Sequence, residues 1–149
     1  GEVSRDFFSP LLNITIDDNI VELSIKSSKR KFTKILNTMI AHVNNMVKGA
    51  VDSFTYEVKI CSGHFPMSIK KDESMITISN FLGEKIPRKS KILRNVNVEV
   101  KGDMITIKSP DIESAGQTAA NLEHATKIKN RDRRIFQDGC YIISKPKTK

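Results

Sequence analysis

Two stretches of this chain follow one plan, and that repeat limits what it can fold into. LLNITIDDNIVELSIKS (11–27) and NVNVEVKGDMITIKS (95–109) each read as strand, polar turn and strand, ending in Ile-Lys-Ser. In the first, Leu12, Ile14 and Ile16 alternate with polar residues, Asp17-Asp18-Asn19 supplies the turn, and Val21, Leu23 and Ile25 resume the alternation. In the second, Val96, Val98 and Val100 lead to Gly102-Asp103, and Ile105 and Ile107 continue beyond it. Period-two alternation on either side of such a turn is the pattern of a β-hairpin.

Each hairpin is followed by a change of period. Phe32, Ile35, Leu36, Met39, Ile40, Val43, Met46 and Val47 recur at steps of three and four, one apolar stripe along a helix. Ser27 or Ser28 is placed to cap its start and Gly49 to end it. In the second copy Pro110-Asp111 opens a helix with Asp111 as N-cap, and Ile112, Ala115, Ala119, Leu122 and Ala125 or Thr126 face inward. A Tyr-containing strand follows each helix, at 54–60 and at 141–143. An offset of 82 residues (27 to 109) predicts a duplication. The expected fold is α+β, two tandem copies of a small module of antiparallel strands packed on one helix, divided as 1–61 and 62–149. Only the second copy is preceded by a further hairpin, Met67 to Lys70 and Met75 to Ser79, so the first helix still needs a cover for its stripe. Residues 80–95 read as irregular and basic.

Charge narrows the function. Lys plus Arg number 25 against 17 acidic residues, a net charge of +8 with a pI near 9.6. A small chain this basic generally has a polyanionic partner, of which nucleic acid is the commonest. A membrane surface fits less well, because no amphipathic basic helix carries bulky apolar residues beyond those a core needs. The apolar runs fall short of the ~20 residues of a membrane span, and no leader pattern opens the chain. The chain therefore reads as soluble and intracellular.

Little in the sequence supports catalysis. Cys61 and Cys140 are far apart with no CxxC, so they read as reduced, buried thiols rather than zinc ligands. His64 lies three residues from Cys61, but alternation on an extended segment puts the two on opposite faces, and no carboxylate orienting the histidine is identifiable. No glycine-rich phosphate loop occurs. No enzyme activity, cofactor, metal or small-molecule substrate is expected.

What remains is basicity on connections. KIKNRDRR (127–134) places Lys127, Lys129, Arg131, Arg133 and Arg134 between a helix and a strand, and Lys85, Arg88, Lys89 and Lys91 fall in the irregular segment. Taken alone, such a run fits a solvated turn as well as a phosphate contact; the net charge favours phosphate. Lys29, Arg30, Lys31 and Lys34 oppose the dipole of the first helix, and Lys145, Lys147 and Lys149 form a basic tail. Aromatics are only 6%, and no strand carries a stacking pair, so backbone and shape contacts to folded RNA fit better than reading of unpaired bases.

The motifs NNMVKGAVDSFTYEVK (44–59), GHFPMSI (63–69), ISNFLGEK (78–85) and SPDIESAGQTAANLEHATKIKNRDRRIFQDGCYI (109–142) resemble, in order and over essentially the whole chain, the family of the large-subunit ribosomal protein numbered six in bacteria and nine in eukaryotes. The likeness is to the eukaryotic type, without the family's usual N-terminal hairpin and with Cys140 where an aliphatic residue is usual. The resemblance implies two copies of an α+β domain and a structural role in the large ribosomal subunit. The implied partners are large-subunit rRNA near the sarcin–ricin loop and neighbouring ribosomal proteins. The location would be the cytoplasmic ribosome, with nucleolar assembly in a eukaryote. By position, the nine basic residues of the two segments would bind RNA, with Phe136 and Tyr141 as core anchors that hold the loop, stacking on RNA being the alternative for them, and Asp132 and Asp138 tying the loop internally. A free RNA-binding or ribosome-assembly factor is the alternative.

Overall fold

Hairpin and helix form in both copies where the periodicity places them. The computed structural model describes residues 1–7, 12–18, 20–26 and 29–146. Strands β1 (Leu12–Asp17) and β2 (Ile20–Ile25) pair antiparallel, with Ile16 opposite Val21. Helix α1 (Arg30–Val51) follows, starting at Lys29 without a side-chain cap and with no acid in its first turn. Ser27 and Ser28, the caps expected from sequence, lie outside the described residues, as do Asn19 of the turn and Lys147 and Lys149 of the tail. Gly49 does not end the helix, which continues to Val51. It is instead the buried residue of α1: a Cβ there would collide with the Pro110 carbonyl and stand 2.8 Å from the Phe54 ring. The absent side chain lets α1 approach the start of the second helix.

Strand β3 (Phe54–Cys61) departs from the expected partition. From sequence it closes the first module at residue 61. In the structure it lies inside a four-stranded antiparallel sheet of order β7-β8-β3-β9, where β7 is Asn97–Lys101, β8 Met104–Ser109 and β9 Gly139–Ser144. Phe54 faces Ser109 and Cys61 faces Gly139 across the ladders. The physical reason is burial. Phe54, Val58 and Ile60 are buried here beside Ile105 and Ile107 of β8, whereas the β1–β2 hairpin is mostly exposed.

Strands β4 (Ser68–Lys71), β5 (Met75–Ser79) and β6 (Arg88–Lys91) make a second antiparallel sheet. The first two are the expected hairpin. The third lies in the segment read as irregular, because RKSK has no apolar alternation. Its alternation is of another kind: Ser90 is buried and Arg88 half-buried, while Lys89 and Lys91 are exposed. Helix α2 (Ile112–Ala125) packs on β3, β6, β8 and β9. Asp111 caps it, its carboxylate accepting the N–H groups of Glu113 and Ser114 at 3.1 and 3.2 Å. Ala115, Ala119 and Leu122 are fully buried, and the small alanines allow the helix to lie close to the sheet. Among the described residues, every buried apolar side chain lies at Phe54 or beyond.

Candidate nucleic-acid interface

The basic run connects α2 to β9, and its two ends are tied together. Thr126 terminates α2, and its Oγ1 accepts the Cys140 N–H at 2.9 Å. Ile128 is buried, with Lys127 and Lys129 exposed on either side of it. Further on, the Asp132 carbonyl accepts the N–H groups of Ile135 and Phe136, closing a turn. The Asp132 carboxylate accepts from the Arg134 backbone at 2.9 Å and from its guanidinium at 2.9 and 3.2 Å. Those hydrogen bonds hold the Asp132 carboxyl below the usual carboxylate range. Arg131 lies over the Phe136 ring at 4.8 Å, and the His64 ring stacks on Phe136 at 4.6 Å.

At the far end Asp138 is 2% exposed and anchors the loop to the turn after β3. Its carboxylate accepts the N–H groups of Gly63 and His64 at 2.5 and 2.9 Å and lies 2.6 Å from the His64 Nδ1. Burial raises the Asp138 pKa, but the His64 and Gly63 hydrogen bonds and the His64 charge outweigh it, and the carboxyl sits below its ordinary value. The next residue, Gly139, turns into β9 at φ +152°, a conformation that would strain a side chain. The partner for His64 that sequence could not identify is therefore Asp138, 74 residues away. It holds a loop in place. Neighbouring contacts join the other motifs: Asn80 Nδ2 donates to the Pro66 carbonyl at 3.0 Å, and a Cβ on Gly83 would lie 3.6 Å from the Phe65 ring.

Arg88 brings the two basic segments together. Its guanidinium donates to both Glu84 carboxylate oxygens, at 2.8 and 2.6 Å, and to the carbonyls of Ala125 and Lys127, at 2.9 and 3.1 Å. It also lies 4.2 Å over the Phe81 ring. The planar fork of arginine can make all these contacts at once, which lysine cannot. The Arg88 hydrogen bonds, with Arg131 nearby, hold the Glu84 carboxyl below its usual range. Strand β6 is thus fastened to the start of the loop, and Lys89 and Lys129 border the same shallow pocket. Lys85, Lys89, Lys91, Lys127, Lys129, Arg131, Arg133 and Arg134 are all exposed; Arg88 is half-buried and committed to internal partners. Two segments that look separate in sequence thus meet at Arg88 and Lys127, and Lys89 and Lys129 border one surface.

The cysteines are both free, but only Cys140 is buried; Cys61 is half-buried, contrary to the expectation of two buried thiols. Cys140 lies opposite Ile60 and Cys61 opposite Gly139, so the two thiols project from opposite faces of the sheet. Burial pushes the Cys140 thiol up to about 11. No group of three or more His, Cys, Asp or Glu side chains suited to a metal occurs among the described residues, and no helix there is long and apolar enough to cross a membrane.

Comparison with known proteins agrees with this placement of the motifs. The model of the family described as ribosomal protein L6 matches residues 65–139, the span holding His64's neighbours, β6, α2 and the basic loop. Large ribosomal subunit protein uL6 of Methanobrevibacter smithii is 47% identical over 145 residues, covering 97% of this chain and 82% of that protein. The proteins of the same name from Methanothrix thermoacetophila and Methanospirillum hungatei are 40% and 41% identical, with the same coverage. A match over half of the chain and relatives this similar over nearly all of it carry one conclusion: the chain belongs to the ribosomal protein L6 family, whose members are structural proteins and not enzymes.

Proposed function

We propose that this chain is a structural constituent of the large ribosomal subunit that binds large-subunit rRNA through the basic face of its second module. Lys127, Lys129, Arg131 and Arg133, with Lys85, Lys89 and Lys91 beside them, contact phosphates; Arg134 joins them from its pairing with Asp132. The observation that carries the reading is the hydrogen bonding of Arg88 to Ala125 and Lys127, which fastens the two cationic segments into one face. Cations held on a braced loop bind phosphate with less ordering cost than cations on a mobile one. Arg88 itself acts by position. We infer that the contacted rRNA lies near the sarcin–ricin loop, with other ribosomal proteins as neighbours, as the family resemblance implies.

We also draw the boundary between modules at Asp52–Ser53, ahead of β3, rather than at residue 61, since β3 pairs only with strands of the second half. The resident role is tested by sedimenting lysate through a sucrose gradient after a high-salt wash. Retention on the large subunit at about one copy per particle is expected. Release into light fractions would favour an assembly factor or a free RNA-binding protein.

A further inference from the structure

Beside the basic loop lies an open cleft of about 780 Å³, between the turn after β3 and the segment entering β9. Cys61, His64, Ile135, Gln137, Asp138 and Tyr141 line it. We propose that this cleft seats an unpaired nucleobase of the RNA that the adjoining cations hold by its backbone, a proposal that rests on the RNA-binding reading of that face.

Three observations carry it. First, Ile135 is 65% exposed although Arg133 and Arg134 precede it directly in the loop. A bare aliphatic side chain has nothing to offer a phosphate, and it gains by covering the flat face of a base. Second, the polar groups of the cleft are largely committed elsewhere. The Tyr141 hydroxyl donates to the Gln137 carbonyl at 3.1 Å, the Gln137 amide donates to the Arg134 carbonyl at 3.3 Å, and Asp138 is spent on Gly63 and His64. Asp138 is also nearly inaccessible, so it presents no free oxygen to an incoming nucleotide. The walls left open are the Ile135 chain and the His64 and Tyr141 rings. Third, His64 is already stacked on Phe136 beneath Arg131's loop, so one wall is rigid before anything binds. Stacking walls with few free polar groups accept any base, because every base has a π-face. The seat should therefore favour unpaired over paired nucleotides while discriminating little among the four bases. This goes beyond the expectation from sequence that backbone and shape contacts fit better than contacts to unpaired bases. The aromatic and aliphatic residues involved come from the turn after β3, the basic loop and the start of β9 rather than from one strand.

The test binds full-length chain to purified large-subunit rRNA and probes the complex with hydroxyl radicals, which report the backbone, and with base-directed reagents, which report unpaired bases. The wild-type chain should protect at least one unpaired base close to its backbone footprint. Ile135→Ala, a change at an exposed position, should restore reactivity at that base and weaken binding about tenfold, leaving the backbone footprint and the salt dependence unchanged. Identical base reactivities with the two chains would overturn the proposal. If Ile135→Ala instead lowers only retention on intact subunits, the cleft holds a protein side chain and the proposal again fails. Absence of any backbone footprint with the wild-type chain would remove the RNA reading itself, and the nucleobase with it.

Discussion

The two modules begin with the same plan and end in different states. In the first, α1 leans on β2 and buries one residue, Gly49; Ile16, Ile20, Val47 and Val51 are between 61% and 79% exposed. In the second, α2 is enclosed by two sheets, and Ile76, Ile78, Ile105, Ile107 and Leu122 are 0% exposed. The apolar stripe is the stronger one in α1, yet it is the less buried. What decides burial is the surface available to cover each helix: β3 lies in the sheet with β7, β8 and β9, and β6 flanks the second helix from the other sheet. Patterning selects the elements, and the number of layers around a helix decides how much they stabilise the fold.

The contrast is broken most directly by matched truncations. Ile105→Ala, fully buried, should cost about 2–5 kcal/mol in urea unfolding, and Ile16→Ala, 71% exposed, within about 0.5 kcal/mol. Similar losses at the two sites would show that the modules are not energetically distinct. Gly49→Ala should cost about 1–3 kcal/mol, because the new methyl meets the Pro110 carbonyl and the Phe54 ring. Limited proteolysis should then cleave α1 and the hairpin faster while leaving the second module protected. If the second module is cleaved equally fast, α1 contributes to its stability directly.

These expectations also show what was legible in the sequence. Both hairpins, both helices and the Asp111 cap follow from local periodicity and cap chemistry, which act within a few residues. Strand β6 did not, because its inward residues are Arg88 and Ser90, and an arginine satisfied by Glu84 and two carbonyls leaves no apolar signature. The basic residues themselves were visible, but their assembly into one face was not. That assembly depends on contacts spanning 37 to 39 residues for Arg88 and 74 for His64 and Asp138. The membership of β3 was hidden for the same reason: an alternating strand names its buried face without naming its partner.

The comparison sharpens under acid. Glu84, Glu99, Asp132 and Asp138, whose carboxyls lie below their ordinary values, all belong to the second module. A depressed native pKa gives stability that is complete above the unfolded value and is lost as pH falls through the native one. The second module should thus lose stability below about pH 4, and Asp138→Asn should reduce that dependence. A pH titration of the urea midpoint measures it; a slope unchanged by Asp138→Asn would contradict the buried role assigned to this carboxylate. The smallest effect concerns the thiols. At pH 8 a thiol reagent should modify half-buried Cys61 in the folded chain, and buried Cys140, with its pKa near 11, only on unfolding. Equal rates would show that β9 opens without global unfolding.

The central claim is that one braced basic face on the second module holds rRNA by its phosphates. Its most direct test is the salt dependence of binding to purified large-subunit rRNA for wild type, Lys129→Gln/Arg133→Gln, Arg88→Lys and the control Lys101→Gln. The double variant should lower the slope of log K against log salt by about 1.5–2 units. Arg88→Lys should weaken binding with little change in slope, since it keeps the charge and loses the bracing, and Lys101→Gln should change neither. A double variant with the wild-type slope would contradict the account, because the residues placed at the centre of the face would then touch no phosphate.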